Sequence, residues 1–262
     1  DYYITFTSGS TGRPKGVLVN QEGVINTLTY RRDIYNFDVS KVCLQLFSFS
    51  FDGFVTSAFT PLISGAELVL LDDQERHQVN DILQAIETYQ CNHLISVPLL
   101  FYQVLKASKG TGIDSLKTVV LVGEKTKAEI FDLIESFNLR LKMVNEYGVT
   151  EGAVLSTINL AFNKDRLNDI GKPIDHTGTH ILDLQSLEVV TSKEATGELA
   201  IFGKGVAKGY INRPEETHLR FMEINGARSY CTGDLVKLES DDTLTFLGRL
   251  DDQVKLNGYR SE

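Results

Sequence analysis

The chain has 262 residues, 42% of them hydrophobic, and a formal net charge of −9. That length buries one large core or two smaller ones, and the acidity, without a basic stripe, argues against a nucleic-acid partner. No apolar run reaches membrane-spanning length and no signal peptide is read; the spacing of Cys43, Cys91 and Cys231 suggests no metal site and their odd number argues against a disulfide framework, which fits a reducing cytoplasm.

Tyr2-Tyr3-Ile4-Thr5-Phe6 reads as a strand. It opens into Thr7-Ser8-Gly9-Ser10-Thr11-Gly12-Arg13-Pro14-Lys15-Gly16. Glycine admits positive φ and the close approach of an anion. The hydroxyls add donors and Lys15 adds a point charge. The spacing Gly-x-x-Gly-x-Pro-Lys-Gly predicts a polyphosphate cradle. It differs from the common P-loop, where Gly-Lys is followed by Ser or Thr.

Across residues 1–160 strands and helices alternate. Apolar runs at 43–49, 66–71, 93–97 and 118–122 predict strands buried on both faces. Val79, Ile82, Leu83, Ile86 and Tyr89 share one helical face, and so do Ile130, Leu133, Ile134 and Phe137. Thr126 and Glu129 form a candidate capping box for the second of these helices. That order implies a largely parallel sheet. After residue 160, short strand-like pieces at 180–183, 187–190, 198–203, 235–239 and 244–247 predict a β-rich, barrel-like subdomain. One helical pattern lies near 214–221. The expected fold class is α/β: a layered, largely parallel sheet with helices, then the β-rich part, with a nucleotide cleft between them.

Three further motifs carry chemistry. Asn145-Glu146-Tyr147-Gly148-Val149-Thr150-Glu151 offers a ring, a hydroxyl and a carboxylate at a strand end, the edge of a parallel sheet that ligands favour. Tyr230-Cys231-Thr232-Gly233-Asp234-Leu235 puts a carboxylate on a glycine turn, which by itself is usually only a turn. Gly248-Arg249-Leu250-Asp251-Asp252-Gln253-Val254-Lys255 is a charged stretch. His176 and His180 stand four apart, but Gly178 between them argues against a helical metal pair.

With Phe49-Ser50-Phe51-Asp52 and the run from Gly197-Glu198-Leu199 to Lys208-Gly209-Tyr210, these motifs make the chain resemble the adenylate-forming, AMP-binding superfamily. That superfamily includes acyl-CoA synthetases and luciferases. More narrowly, the chain resembles an adenylation domain of a nonribosomal peptide synthetase, cut at both ends. The motifs run from Thr5 to Arg260.

The resemblance implies that a carboxylate attacks the α-phosphate of ATP, giving an acyl-adenylate and pyrophosphate. The acyl group then passes to a phosphopantetheine thiol on a peptidyl carrier domain, beside other synthetase domains, in antibiotic-type synthesis. Thr7, Ser8, Gly9, Ser10, Thr11, Gly12 and Lys15 would cradle phosphates, a task of charge neutralisation and placement. Glu151 would hold Mg²⁺ and Thr150 a phosphate oxygen. Tyr147 would stack on adenine, with Asn145 and Gly123 nearby. Asp234 would accept from the ribose hydroxyls, and Arg249 would lie near ribose and phosphates. Lys15, Thr150, Glu151 and Arg249 form the catalytic set. Residues 1–160 would hold the phosphate loop and amino acid pocket and 161–248 the β-rich part. Residues 249–262 would hold the hinge, at Asp251, and the start of a small C-terminal subdomain.

By the same resemblance, the amino acid pocket would be lined by Phe51, Asp52, Gly53, Thr56, Ser96, Val120, Val122, Glu146, Val154 and Leu155. Asp52 would pair with the substrate ammonium; its plain alternative is a turn cap. The lining suggests tyrosine first, or another large neutral residue, with a basic side chain on Glu146 as the competitor. Cys231, Asn257 and Ser261 depart from the family pattern. Without the lysine of the small subdomain, the isolated chain is expected to adenylate weakly. The rival readings are an acyl- or aryl-CoA ligase, a D-alanine–carrier protein ligase-like enzyme, and a non-catalytic nucleotide-binding remnant.

Overall fold

The computed structural model describes residues 2–7 and 14–250, and the backbone of 254–256 and 259–261. Ser8, Gly9, Ser10, Thr11, Gly12, Asp251, Asn257 and the side chain of Ser261 lie outside the described residues. The chain forms two compact units that interleave in sequence. One comprises Asp1–Thr27, Glu146–Asn159 and Asn168–Glu262; the other comprises Leu28–Asn145 and Leu160–Leu167. Both units contain residues on either side of residue 160.

The second unit holds the parallel strands, in the order Glu67–Leu70, Val42–Gln45, His93–Ser96, Thr118–Val122 and then Lys142–Tyr147, of which Glu146 and Tyr147 count with the first unit. Cys43 stands opposite His93, and Leu94 opposite Val119. The helical faces read from the sequence pack here. Ile82 and Ile86 from Val79–Tyr89, Phe101 and Leu105 from Pro98–Ser108, and Ile130 from Ala128–Ser136 join Leu94, Val119 and Leu121 in one core. Two local expectations fail. The strand Glu67–Leu70 ends the sheet order, so it is an edge strand with Glu67 and Leu70 exposed, not buried on both faces. The Thr126 capping box does not form. Lys127 takes an extended ψ of 148° and becomes the N-cap without a side-chain capping bond. Glu129 then falls one position too early to close the box.

The first unit is β-rich. Tyr3–Thr7 and Lys15–Val19 form an antiparallel hairpin with Thr7 opposite Lys15, and Gly209–Tyr210 pairs on the far edge of Lys15–Val19. A longer run has the order Val189–Val190, Thr177–Leu182, Thr196–Gly203, Ala227–Leu238, Leu244–Arg249, Asp169–Pro173 and Thr157–Asn159, with Phe221–Ile224 pairing off this path on Ala227–Leu238. Their path is open, so the barrel-like expectation becomes an open antiparallel run instead of a closed barrel. Ile181, Leu199, Ile201, Val236 and Leu244 fill its core. The helix Pro214–Arg220 appears where the pattern placed it, with Pro214 in its first turn, where its missing N–H costs nothing. Cys43, Cys91 and Cys231 are buried and unbridged, and burial pushes their thiols up, to about 12, 11 and 11.

Candidate functional site

The hairpin carries Lys15 back beside the residues that precede its loop. Lys15 is 6% exposed. Its ammonium lies 4.6 Å from the centre of the Tyr210 ring and 3.8 Å from Glu216 Oε2. Thr7, opposite Lys15, buries a hydroxyl that finds no partner among the described residues. The Tyr210 hydroxyl donates to Glu151 Oε1 at 2.8 Å. Glu151 is fully buried, and its Oε2 has no hydrogen-bond partner among the described residues. A buried carboxylate oxygen without a donor is costly. It is also the hard oxygen that a divalent cation takes, so the residues present fit Mg²⁺.

Glu151 owes its place to a tight turn. Thr150–Gly152 is one turn of 3₁₀ helix, followed by Ala153 at φ 56° and Val154 at φ 78°. A β-branched residue with positive φ is an outlier. It is held by Val154 N–H donating to Val149 O and by Thr27 Oγ1 donating to Ala153 O at 3.0 Å. The chain folds back so closely that a Cβ on Gly148 would sit 1.9 Å from Val154 O. Thr150 is half-buried, and Glu146 and Leu155 are buried.

A second group begins at the other end of that turn. Tyr147 donates a short hydrogen bond to Asp234 Oδ2, and Arg249 Nη1 donates to Asp234 Oδ1 at 2.8 Å. Arg249 also donates to Thr232 O at 2.9 Å, and Asp234 N–H to Thr232 Oγ1 at 3.0 Å. Gly233, at φ 74°, lets the strand bend under the guanidinium; a Cβ there would meet Arg249 Nη2 at 3.0 Å. Burial, then the Asp234 charge, holds the Tyr147 phenol well above its ordinary range, so it remains a donor. The lone Tyr147 ring of the sequence reading is thus a ring tied by its hydroxyl to Asp234.

The remaining predicted residues lie in the second unit. Phe51 and Asp52 lead into the helix Gly53–Ile63. Asp52 is its half-buried N-cap residue, yet its side chain makes no capping bond. The plain reading of Asp52 as a cap therefore fails. The Thr56 hydroxyl returns to Gly53 O at 3.1 Å and the Ser96 hydroxyl to Val97 O at 3.1 Å. Both are spent on backbone. Val120 is fully buried yet outside the core that takes Val119 and Leu121. Alternation along Thr118–Val122 puts Val120 and Val122 on the face opposite that core. Gly123 is exposed at φ 85° just beyond this strand, and Asn145 is buried.

Sequence reasoning assigned no role to Tyr210, Tyr230 or Glu216. Tyr210 closes the Gly197-to-Tyr210 run, and its position two residues beyond Lys208 carries no signal of its own. Only the strand pairing of Tyr210 with Val17 brings it beside Lys15.

The family model for the AMP-binding enzyme matches residues 2–211. The chain belongs to that family. It is 43% identical over 263 residues to a plipastatin synthase component of Bacillus subtilis (strain 168), covering 99% of this chain and 7% of that protein. To gramicidin S synthase 2 of Aneurinibacillus migulanus it is 39% identical over 267 residues, covering 99% of this chain and 6% of that protein. Among solved structures it is similar to holo-PA1221, an NRPS protein containing adenylation and PCP domains bound to a vinylsulfonamide inhibitor. There the TM-score is 0.87 at 28% identity, over 98% of this chain and 45% of the other. It is also similar to the AMPPNP-bound form of the nonribosomal peptide synthetase FmoA3, with TM-score 0.86 and 26% identity over 95% of this chain and 27% of that one. The chain therefore spans a small part of such synthetases. No helix among the described residues is long and apolar enough to cross a membrane.

Proposed function

We propose that this chain activates an amino acid with ATP, giving an aminoacyl-adenylate and pyrophosphate, for thioester loading onto a phosphopantetheine carrier domain. The observation that carries this is Glu151. It is a fully buried carboxylate with one oxygen held by Tyr210 and the other without a partner among the described residues, in the same unit as buried Lys15. The similarity to an AMPPNP-bound synthetase and to an adenylation–PCP protein supports the nucleotide and the carrier partner.

The substrate carboxylate oxygen would attack the α-phosphorus as the bond to the bridging oxygen breaks and pyrophosphate leaves. Such chemistry needs charge neutralised and groups placed, not covalent help. Lys15 and the loop residues Thr7 to Gly12 would take the β- and γ-phosphates, and Thr150 a phosphate oxygen. Mg²⁺, held by Glu151, would neutralise phosphate charge when bound. Asp234 has about four lone-pair sites. Tyr147 and Arg249 occupy two of them, and the others would accept from ribose. Tyr147, Asn145 and Gly123 would meet the base. Asp52 would hold the substrate ammonium, with Glu146 toward a distal polar group. Tyrosine is the first substrate expected, followed by other large neutral residues. Residues 1–160, 161–248 and 249–262 would serve as pocket-and-loop, β-rich support and hinge, in a cytoplasmic setting.

Titration with ATP and Mg²⁺ and amino-acid-dependent ATP–pyrophosphate exchange test this together. The expected result is heat on ATP addition and exchange with tyrosine or a similar residue, both sharply reduced in Glu151→Gln. Exchange with acids lacking an α-amino group, unaltered in Asp52→Ala, would replace the reading with acyl activation. No heat at all would leave a non-catalytic remnant.

A further inference from the structure

We propose that Tyr210 is a positioning residue that sets the metal-binding carboxylate and the phosphate-loop lysine against each other. The inference rests on the roles given to Glu151 and Lys15. Tyr210 touches both: its hydroxyl donates to Glu151 Oε1 at 2.8 Å, and its ring faces the Lys15 ammonium at 4.6 Å. A ring at that distance attracts a cation.

The ring itself is fixed from several sides. Lys208 N–H donates to Leu18 O and Ile211 N–H to Gly16 O, both at 2.9 Å, so the backbone around Tyr210 runs along the Lys15 strand. Tyr210 N–H donates to Thr217 Oγ1 at 2.9 Å, and the Phe221 ring packs edge-on at 5.5 Å. Ala207 N–H donates to Glu151 O at 2.8 Å, which ties the two backbones together.

Proton counting then orders the hydroxyls. A carboxylate only accepts, and a phenol has one proton. Tyr210 spends that proton on Glu151, so at 3.3 Å the Tyr230 hydroxyl must donate to Tyr210. The chain Tyr230 to Tyr210 to Glu151 fixes one carboxylate oxygen and leaves the other, Oε2, without a hydrogen-bond partner among the described residues. A tyrosine needed only for packing would put its hydroxyl on any nearby backbone carbonyl. Here it goes to the carboxylate assigned to the metal. Partners of this kind orient metal ligands, and losing one costs about 10–100-fold in metal affinity or activity.

The test uses Mn²⁺ as the probe, read by electron paramagnetic resonance in the presence of ATP, beside thermal melts and metal-free ATP titration. Tyr210→Phe keeps the ring and removes the hydroxyl. It should melt cooperatively, weaken Mn²⁺ binding about 10-fold or more, and retain metal-free ATP affinity. Tyr210→Leu also removes the ring and should lose metal-free ATP affinity as well. Wild-type Mn²⁺ affinity in a folded Tyr210→Phe protein overturns the inference while leaving the proposed function standing. No ATP-dependent Mn²⁺ binding in the wild-type chain overturns both. Should Tyr210→Phe not fold, Tyr230→Phe carries the test: it removes the donor to Tyr210 without touching Glu151. A smaller drop in Mn²⁺ affinity is expected there, and no drop overturns the relay.

Discussion

Asp234 is 3% exposed, and two donors, Tyr147 on Oδ2 and Arg249 on Oδ1, hold it there. The Arg249 side chain is 14% exposed, so the pair is largely withdrawn from water. Removing one partner of a buried pair costs about 3–5 kcal/mol, because the other charge is left without compensation. Asp234→Asn is therefore expected to destabilise the chain toward the lower end of that range, since Arg249 keeps its bond to Thr232 O. It should also weaken ATP more than inorganic triphosphate, since the ribose contact alone is lost. Urea unfolding and competition titration measure the two effects separately, and equal weakening of both ligands would remove Asp234 from the ribose. The sequence placed Tyr147 and Asp234 in one site by motif. It did not show that they bond each other, because they lie 87 positions apart and no local period encodes that pairing.

The turn from Tyr147 to Leu155 is the element on which the site depends. It runs a strand into a single 3₁₀ turn and then through two consecutive non-glycine residues with positive φ. Backbone in such regions costs about 1–3 kcal/mol per residue and persists only where the surroundings enforce it. Gly148 makes the close return possible. In Gly148→Ala the new methyl would overlap Val154 O, and backbone cannot yield as a side-chain tip can. A loss of about 3 kcal/mol or more is expected in chemical unfolding, with ATP binding lost in whatever remains folded; near-native stability would show that the turn relaxes freely. Elements with a long period were legible from sequence. The helical faces of Val79–Tyr89 and Ala128–Ser136 and the strands His93–Ser96 and Thr118–Val122 all appear. What failed was local and depended on neighbours. Glu67 and Leu70 are exposed on an edge strand beyond which nothing pairs among the described residues, and the Thr126 box is lost to a single extended residue. The hairpin that returns Lys15 to Tyr210 was not legible either. The step that brings Tyr210 there is a pairing of Gly209–Tyr210 with the distant strand Lys15–Val19, and the composition of the glycine-rich run says nothing of it.

At the scale of the whole molecule, each unit carries its own core, and the second hides a titratable group within it. His93 is 1% exposed on a central strand, with the Phe37 and Tyr35 rings edge-on at 4.7 and 5.0 Å. Neither ring nitrogen has a hydrogen-bond partner among the described residues. Burial first, then the positive charges of Arg31, Lys41 and Lys142, holds its imidazolium pKa well below the ordinary value. The folded chain therefore keeps His93 neutral, while the unfolded chain protonates it near pH 6.5. Above that pH neither state takes the proton and stability is unaffected. Below it only the unfolded state binds the proton, so stability falls as pH drops. His180, part-buried against Phe202, is pushed the same way by burial, so the wild-type slope contains both. The exposed Asp33, Asp38 and Asp242 and the half-buried Asp183 are held below the usual carboxylate range and titrate under this window. Replacing His93 with phenylalanine keeps an aromatic ring among Tyr35 and Phe37 and removes two unsatisfied nitrogens. His93→Phe should gain about 1 kcal/mol near neutral pH and should lose less stability than wild type between pH 7.5 and 5.5. Urea midpoints at those two pH values decide it: parallel losses in both proteins would mean that His93 is charged or solvated in the folded chain.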